Sequence, residues 1–460
     1  MTRTRLGATK LTASQALSRT KASAPSQKSP VFLFSADVLV TIFTTAVKLE
    51  RAGGGFRLLD YRLKLPLSMR LSHVCTYLRG VVLDSPLLWN TIDSEVFPSP
   101  AIVDAYLTRS CDAHLDINIT ANYLDFPRFK QILPHVGRWR RFSVEGDDSC
   151  EQMFEDILNE LRTLRAPHLS HLRIANGCEE IDVNSVIPAF TGGAPSLISL
   201  DLDTYTFYLP HDLGKVKSLS LYNQARYTPS TNYREFCKIL NSMPSLVDLR
   251  ITGEMATAWP PLRAVKPIGL HLKALRLSIP ERDDLSEEVP IHYLTSLLVA
   301  LSTDSLEYFA LSNSSAVFFD CFLKALRHGL ISFPNVKWLE WSIDVDEAEE
   351  EALSLIVKSF PNVETLSLSY FTDEHTFLQF LGRNPNEWPK LRVVNVRDVK
   401  IPVLRDLVSS RIRNWVPIEE AWVEGRRAPE HDADVIWLKK NVELKMGPFD
   451  GLPSWDFGWE

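Results

Sequence analysis

Met243-Pro-Ser-Leu-Val-Asp-Leu-Arg-Ile251 sets out a frame: after a proline, an apolar residue, two variable residues, an apolar residue, one variable residue and a final apolar residue. Ala194-Pro-Ser-Leu-Ile-Ser-Leu-Asp-Leu202, Phe360-Pro-Asn-Val-Glu-Thr-Leu-Ser-Leu368 and Trp388-Pro-Lys-Leu-Arg-Val-Val-Asn-Val396 repeat it. Weaker copies begin at Trp139, Leu169, Val216, Leu272, Leu306 and Val336, so ten starts are separated by 30, 28, 19, 30, 26, 34, 30, 27 and 28 residues. Self-similarity at such a period marks a repeat array, in which each unit buries its apolar face only against its neighbours. The alternating end of each frame predicts a short strand. Between the frames, Phe154 to Leu164, Tyr233 to Leu240, Tyr293 to Leu301, Phe319 to Leu326, Ala352 to Val357 and Phe377 to Leu381 space their apolar residues as amphipathic helices do. One strand and one helix per unit imply an α/β solenoid over residues 135–446.

This rhythm resembles that of leucine-rich repeats, although no Asn recurs three positions after the last strand residue and the repeat lengths vary. An irregular solenoid is therefore expected, with parallel strands on its concave face and helices on its convex face. The frame leucines belong to the core. Residues between them face away from the helices: Arg141, Glu145, His171, Arg173, Asp201, Tyr222, Asp248, Arg250, Arg276, Tyr308, Trp338, Glu340 and Arg397. Arg, Tyr and Trp are enriched at binding hot spots, so Arg173, Tyr222, Arg250, Arg276, Tyr308, Trp338 and Glu340 are the candidate contacts for a protein target. The sharpest expectation is an aromatic platform. Tyr308 and Trp338 hold equivalent places in successive frames, with Glu340 two residues farther along the same strand.

The chain before the array has a different pattern. Val38, Leu39, Ile42, Phe43, Ala46 and Val47 recur at helical spacing behind Ser35, a candidate N-cap, and Gly53 to Gly55 ends the run. From Pro66, a second apolar stripe comprises Leu71, Val74, Cys75, Leu78 and Val81, and Asp84-Ser-Pro86 stops it. Phe34-Ser-Ala-Asp-Val-Leu-Val-Thr-Ile-Phe43 resembles the first helix of an F-box. Leu71-Ser-His-Val-Cys-Thr-Tyr-Leu-Arg79 followed by Asp84-Ser-Pro-Leu-Leu-Trp89 resembles its second half. The variety most similar is the fungal one, where a long insertion separates the halves and segments like Val103-Asp-Ala-Tyr-Leu-Thr-Arg-Ser110 and Leu115-Asp-Ile-Asn-Ile119 come next. Ser35 stands where that family usually has Pro, and Leu78 where it has Trp.

The resemblance implies a small all-α unit at 33–95 that docks through apolar side chains onto a Skp-family adaptor and thereby a cullin scaffold. The docking residues would be Phe34, Val38, Leu39, Ile42, Phe43, Leu71, Val74, Cys75, Leu78 and Trp89. The chain would then be the substrate receptor of an SCF-type ubiquitin ligase, with no catalytic residue, cofactor or metal of its own. A repeat scaffold that uses the helical unit only as an N-terminal cap is the alternative. Residues 96–134 are expected to be a connecting segment.

Composition narrows the other possibilities. The 460 residues exceed what one compact core normally supports. With 50 Lys and Arg against 57 Asp and Glu, the net charge of −7 gives no overall attraction to nucleic acid. No apolar run is long enough for a membrane span. Six cysteines at 75, 111, 150, 178, 237 and 321 are too scattered for a disulfide framework or zinc site and read as reduced thiols of a cytoplasmic or nuclear protein. Residues 1–32 read as a basic disordered tail, with a mitochondrial transit peptide as the alternative. No phosphate loop, nucleophile elbow or His-Glu-x-x-His pair occurs. Asp344, Asp346, Glu347, Glu349, Glu350 and Glu351 read as a helix N-terminus. Trp455, Phe457 and Trp459, at period two within the tail 447–460, read as a terminal cap strand or a docking segment.

Overall fold

Three of the proline frames open with a hydrogen-bonded tight turn. The backbone N–H of Leu246 donates to the Met243 carbonyl at 3.0 Å, Leu197 to Ala194 at 3.1 Å and Leu391 to Trp388 at 2.9 Å. In all three the frame's proline is the second residue of the turn, where its fixed φ is already correct. The chain then extends into a strand whose alternate residues enter the core.

In the computed structural model the described residues are 34–52, 65–95, 97, 99–123, 126–146, 149–176, 189–203, 212–223, 231–279, 293–312, 316–342, 350–369, 376–425 and 431–447. The basic segment 1–32, Gly53 to Gly55, Cys178, the acids at 344, 346, 347 and 349, and the aromatics at 455, 457 and 459 lie outside them.

Among the described residues fourteen strands form one all-parallel sheet, and their order across the sheet is their order in the chain. They are β1 (Thr91–Asp93), β2 (Leu115–Thr120), β3 (Trp139–Gly146), β4 (His171–Asn176), β5 (Ser199–Asp203), β6 (Ser218–Tyr222) and β7 (Asp248–Thr252). The second half comprises β8 (Ala274–Ser278), β9 (Tyr308–Ser312), β10 (Trp338–Ser342), β11 (Thr365–Leu368), β12 (Val393–Arg397), β13 (Glu420–Glu424) and β14 (Glu443–Met446). Parallel neighbours joined in sequence need crossovers of one hand, which lie on one face of the sheet.

Among the described residues that face carries α4 (Pro100–Arg109), α5 (Phe126–Ile132), α6 (Glu151–Leu161), α7 (Tyr233–Asn241) and α8 (Tyr293–Leu301). It continues with α9 (Ala316–Arg327), α10 (Glu350–Ser359), α11 (Thr376–Arg383), α12 (Ile401–Arg413) and α13 (Ala433–Asn441). All six helices expected between the frames are present. Between β7 and β8 the chain makes only a short 3-10 turn, Leu262–Ala264. Leu249, Ile251, Leu275, Leu277, Phe309 and Leu311 point from the strands into the core and are buried. The residues ahead of two of the prolines, Phe333 and Phe360, stack at 4.3 Å between centroids, so the turns of successive repeats also pack on each other.

The array is longer than its frames indicate. Residues 96–134, expected as a connecting segment, hold α4, β2 and α5, and the sheet starts at β1. Buried Ile92, Leu115, Ile117 and Ile119 make those strands part of the same core. The N-terminal helices are α1 (Ala36–Ala52), α2 (Leu67–Ser72) and α3 (Thr76–Leu83). The second apolar stripe, expected as one helix, is broken at His73 to Cys75. Cys75 leaves the helical conformation to cap α3, its sulfur accepting the Leu78 N–H at 3.5 Å. The buried core runs without interruption from Leu39 to Val442.

Candidate functional site

Because side chains alternate across a strand, a strand that turns two residues to the helices turns the residues between them to the opposite, open face. The parallel register lines these up in rows. One row runs Asp116, Arg141, His171, Ser199, Ser218, Asp248, Ala274, Tyr308, Trp338, Thr365, Val393, Glu420. The next runs Asn118, Ser143, Arg173, Asp201, Ser220, Arg250, Arg276, Ala310, Glu340, Ser367, Asn395, Trp422. A third row on the same face runs Asp203, Tyr222, Thr252, Ser278, Ser312, so all seven candidate target contacts lie on one face: Arg173, Tyr222, Arg250, Arg276, Tyr308, Trp338 and Glu340.

The face is a chain of charge pairs. Arg173 reaches Glu145 on β3 at 3.0 Å and Asp201 on β5 at 3.6 Å. Arg276 binds Asp248 at 2.7 Å, and the Ser218 hydroxyl donates to that same carboxylate at 3.2 Å. The Arg276 guanidinium also lies 4.8 Å from the centroid of the Tyr308 ring, and the Tyr308 hydroxyl donates to Glu340 at 2.6 Å. Arg397 reaches Glu424 at 3.4 Å. Burial raises Asp248 above the usual carboxylate range despite Arg276. Burial likewise pushes Asp201 up to about 6 against the pull of Arg173 and Arg250.

Two expectations are corrected. Tyr308 is not a solvent-facing platform: it is 2% exposed, packed with Ala274 and Ala310 beneath half-buried Trp338, and its hydroxyl is committed to Glu340. Burial and the Glu340 carboxylate both raise its pKa, so the phenol stays protonated. His171 is buried as well, its ring 2.8 Å from the Ser170 hydroxyl. Over β7 to β10 solvent reaches Arg250, Trp338 and Glu340, along with Thr252, Ser278, Ser312 and part of the paired Arg276. The pairing among these groups was not legible beforehand, because it follows from register, which the repeat spacing fixes only to within a residue or two.

The N-terminal helices form a second surface. On α1, residues four apart share a face, and the apolar positions split into two rows. Leu39, Phe43 and Val47 are buried, whereas Val38 and Ile42 are exposed, Ile42 at 47%, as is Phe34 just ahead of the helix. Val74, in the turn between α2 and α3, is 64% exposed, and Tyr77 and Leu87, which the sequence did not single out, are exposed too. The Tyr77 hydroxyl donates to the Phe34 carbonyl at 3.1 Å, which joins α3 to the start of α1. Of the ten residues expected to dock an adaptor, Phe34, Val38, Ile42 and Val74 are thus available. Leu39, Phe43, Leu78 and Trp89 are core, and Leu71 and Cys75 are half-buried. Trp89 donates its indole N–H to the Val82 carbonyl at 2.8 Å and stacks edge-on against Tyr106, which makes it a hinge of packing between α3 and α4.

Among the described residues no group of three metal-ligating side chains occurs, and no helix is long and apolar enough to cross a membrane. Glu350 and Glu351 stand in the first turn of α10, as expected of acids at a helix N-terminus.

No protein-family model matches the chain, and no curated protein matches it. Among solved structures, a crystal structure of a Bacteroides fragilis protein aligns with 75% of this chain and 77% of its own at 12% identity, with a TM-score of 0.32. A likeness at that level carries no argument about function.

Proposed function

We propose that the chain is the substrate-recognition subunit of an SCF-type cullin ubiquitin ligase, with an F-box-like helical unit for a Skp-family adaptor and a leucine-rich-repeat-like array for a protein target. The observation that carries this reading is the outward row of α1. Val38 and Ile42, with Phe34 just ahead of the helix and joined to Tyr77 by a hydrogen bond, leave apolar area in water, as Val74 and Leu87 do on the same unit, while the opposite row already supplies the packing. Exposed apolar side chains, where they gather, mark interaction surfaces, and about 1.5 to 3 kcal/mol for each side chain fully buried sums to a useful share of an association cost of ~4 to 15 kcal/mol. The open face suits a target because strands pack ~4.8 Å apart and helices ~8 to 10 Å apart, so the array bends with the sheet inside. Such a receptor contributes by holding its target near a ubiquitin-carrying enzyme, an effect of local concentration.

The burial pattern selects the test. Val38→Asp with Ile42→Asp and Val74→Asp should abolish capture of a purified Skp-family adaptor while the melting temperature stays within a few degrees. Undiminished capture by that folded variant would sink the assignment. The alternative of a repeat scaffold with a helical cap is favoured by Leu39, Phe43, Leu78 and Trp89, which belong to the array's own core. That reading predicts no adaptor capture by the unmodified chain.

A further inference from the structure

Arg250 stands in register with Arg276 on the neighbouring strand, two guanidinium side chains side by side on one face. Like charges directly opposite one another are unfavourable in a sheet unless something offsets them. Arg276 is offset by Asp248, which also accepts from Ser218, and Asp201 lies against Arg173. Arg250 feels both carboxylates from a distance, but among the described residues its guanidinium makes no ion pair or hydrogen bond. Its fork of donors, suited to bidentate recognition of a carboxylate, is uncommitted. Ser220 flanks it on β6, a small residue that leaves room. Toward β10 the face turns apolar over Ala310 and Trp338 and then negative at Glu340.

We propose that the open face over β7 to β10 binds an extended acidic peptide segment, with one Asp or Glu carboxylate on Arg250 and an apolar side chain against Trp338. One uncommitted cation matches one negative charge. A doubly charged group at Arg250 would also meet the Asp201 and Asp248 carboxylates, whose fields already reach that guanidinium. The spacing follows from the sheet. Arg250 and Trp338 are three strands apart and one row apart, ~16 Å at ~4.8 Å per strand and ~3.3 Å per residue along it. An extended segment spans that distance in four to five residues at about 3.3 to 3.6 Å each. Glu340 sets the polarity: beyond the apolar residue the segment carries a neutral or basic side chain, because a second acid there would face a carboxylate.

This inference rests on the reading that the open face holds a protein target, and it names the target's chemistry. The test uses the purified full chain on an addressed array of synthetic peptides in which one Glu and one Phe are set at varied separations. Gln, Lys and phosphoserine replace Glu in parallel series. Retention should peak when Glu and Phe are four to five residues apart, and the Gln and Lys series should bind at least about tenfold less. Arg250→Gln should erase the preference for Glu over Gln without lowering the melting temperature, and Trp338→Ala should erase the preference for Phe. Equal retention of the Glu and Gln series, stronger retention of phosphoserine, or an Arg250→Gln chain that keeps its preference would each overturn the proposal. Adaptor capture by that same Arg250→Gln chain should be unchanged. Adaptor capture without a peptide preference removes this inference alone. The converse outcome removes the ligase reading and leaves the acidic-peptide site standing.

Discussion

Arg411 is wholly buried in α12 with no carboxylate partner among the described residues, yet it is fully used. Its guanidinium donates to the carbonyls of Val416, Pro385, Glu387 and Trp388 at 2.9 to 3.2 Å, and so ties the end of α12 to the turn that opens β12. Burial lowers its pKa to about 10, which leaves it charged at neutral pH. A planar fork offers five donors spread over three nitrogens in a fixed geometry, whereas an ammonium offers three from a single atom and cannot reach carbonyls set this far apart. Arg411→Met should therefore cost about 3 kcal/mol or more, since it strands several buried acceptors at ~1 to 3 kcal/mol each. Arg411→Lys should recover only part of that loss in denaturant titrations. Asp201 acts in the opposite sense. Its folded pKa of about 6 lies above the ~3.9 of an unfolded chain, so the native state binds the proton more tightly between those values. Its contribution then weakens as pH rises from about 4 to 6 and stays lower above that, by roughly 2 to 3 kcal/mol. Asp201→Asn should flatten the stability profile over that window relative to the unmodified chain. Parallel profiles would show that Arg173 and Arg250 cancel the effect of burial.

A helix with apolar residues on two sides contains two different kinds of apolar residue, and α1 shows how to separate them. Leu39→Ala should cost about 2 to 5 kcal/mol, as removal of a buried leucine does, whereas Val38→Ala, one residue earlier, should stay within about half a kcal/mol. Thermal melts of the two single variants make the comparison. In the sequence both positions read as adaptor contacts, because periodicity finds an apolar stripe without saying which edge faces the neighbouring element. The strands were legible where the proline turn precedes them, as at Pro244, Pro361 and Pro389, since that turn leaves a local mark. β1 and β2 were missed, and so were β13 and β14 as separate frames. Near the ends of the sheet, Thr91-Ile-Asp93 and Glu443-Leu-Lys-Met446 have fewer apolar positions, and nothing local announces them. His73 to Cys75 broke an expected helix for a reason visible only in three dimensions, a cysteine that caps.

Across the whole molecule, spatial order equals chain order, from the first strand to the fourteenth. Position in the sequence therefore works as a ruler. Thirteen intervals of ~4.8 Å set the two ends of the sheet about 60 Å apart along the stacking direction, less what curvature removes. Each repeat of some thirty residues advances the chain by one graduation. Gain or loss of a complete repeat between β1 and β7 would leave every surviving surface intact and move Arg250 relative to Val38 and Ile42 by about 5 Å, with a small rotation. Reach could thus be adjusted in evolution or in the laboratory by counting repeats, while the chemistry at either end stays untouched.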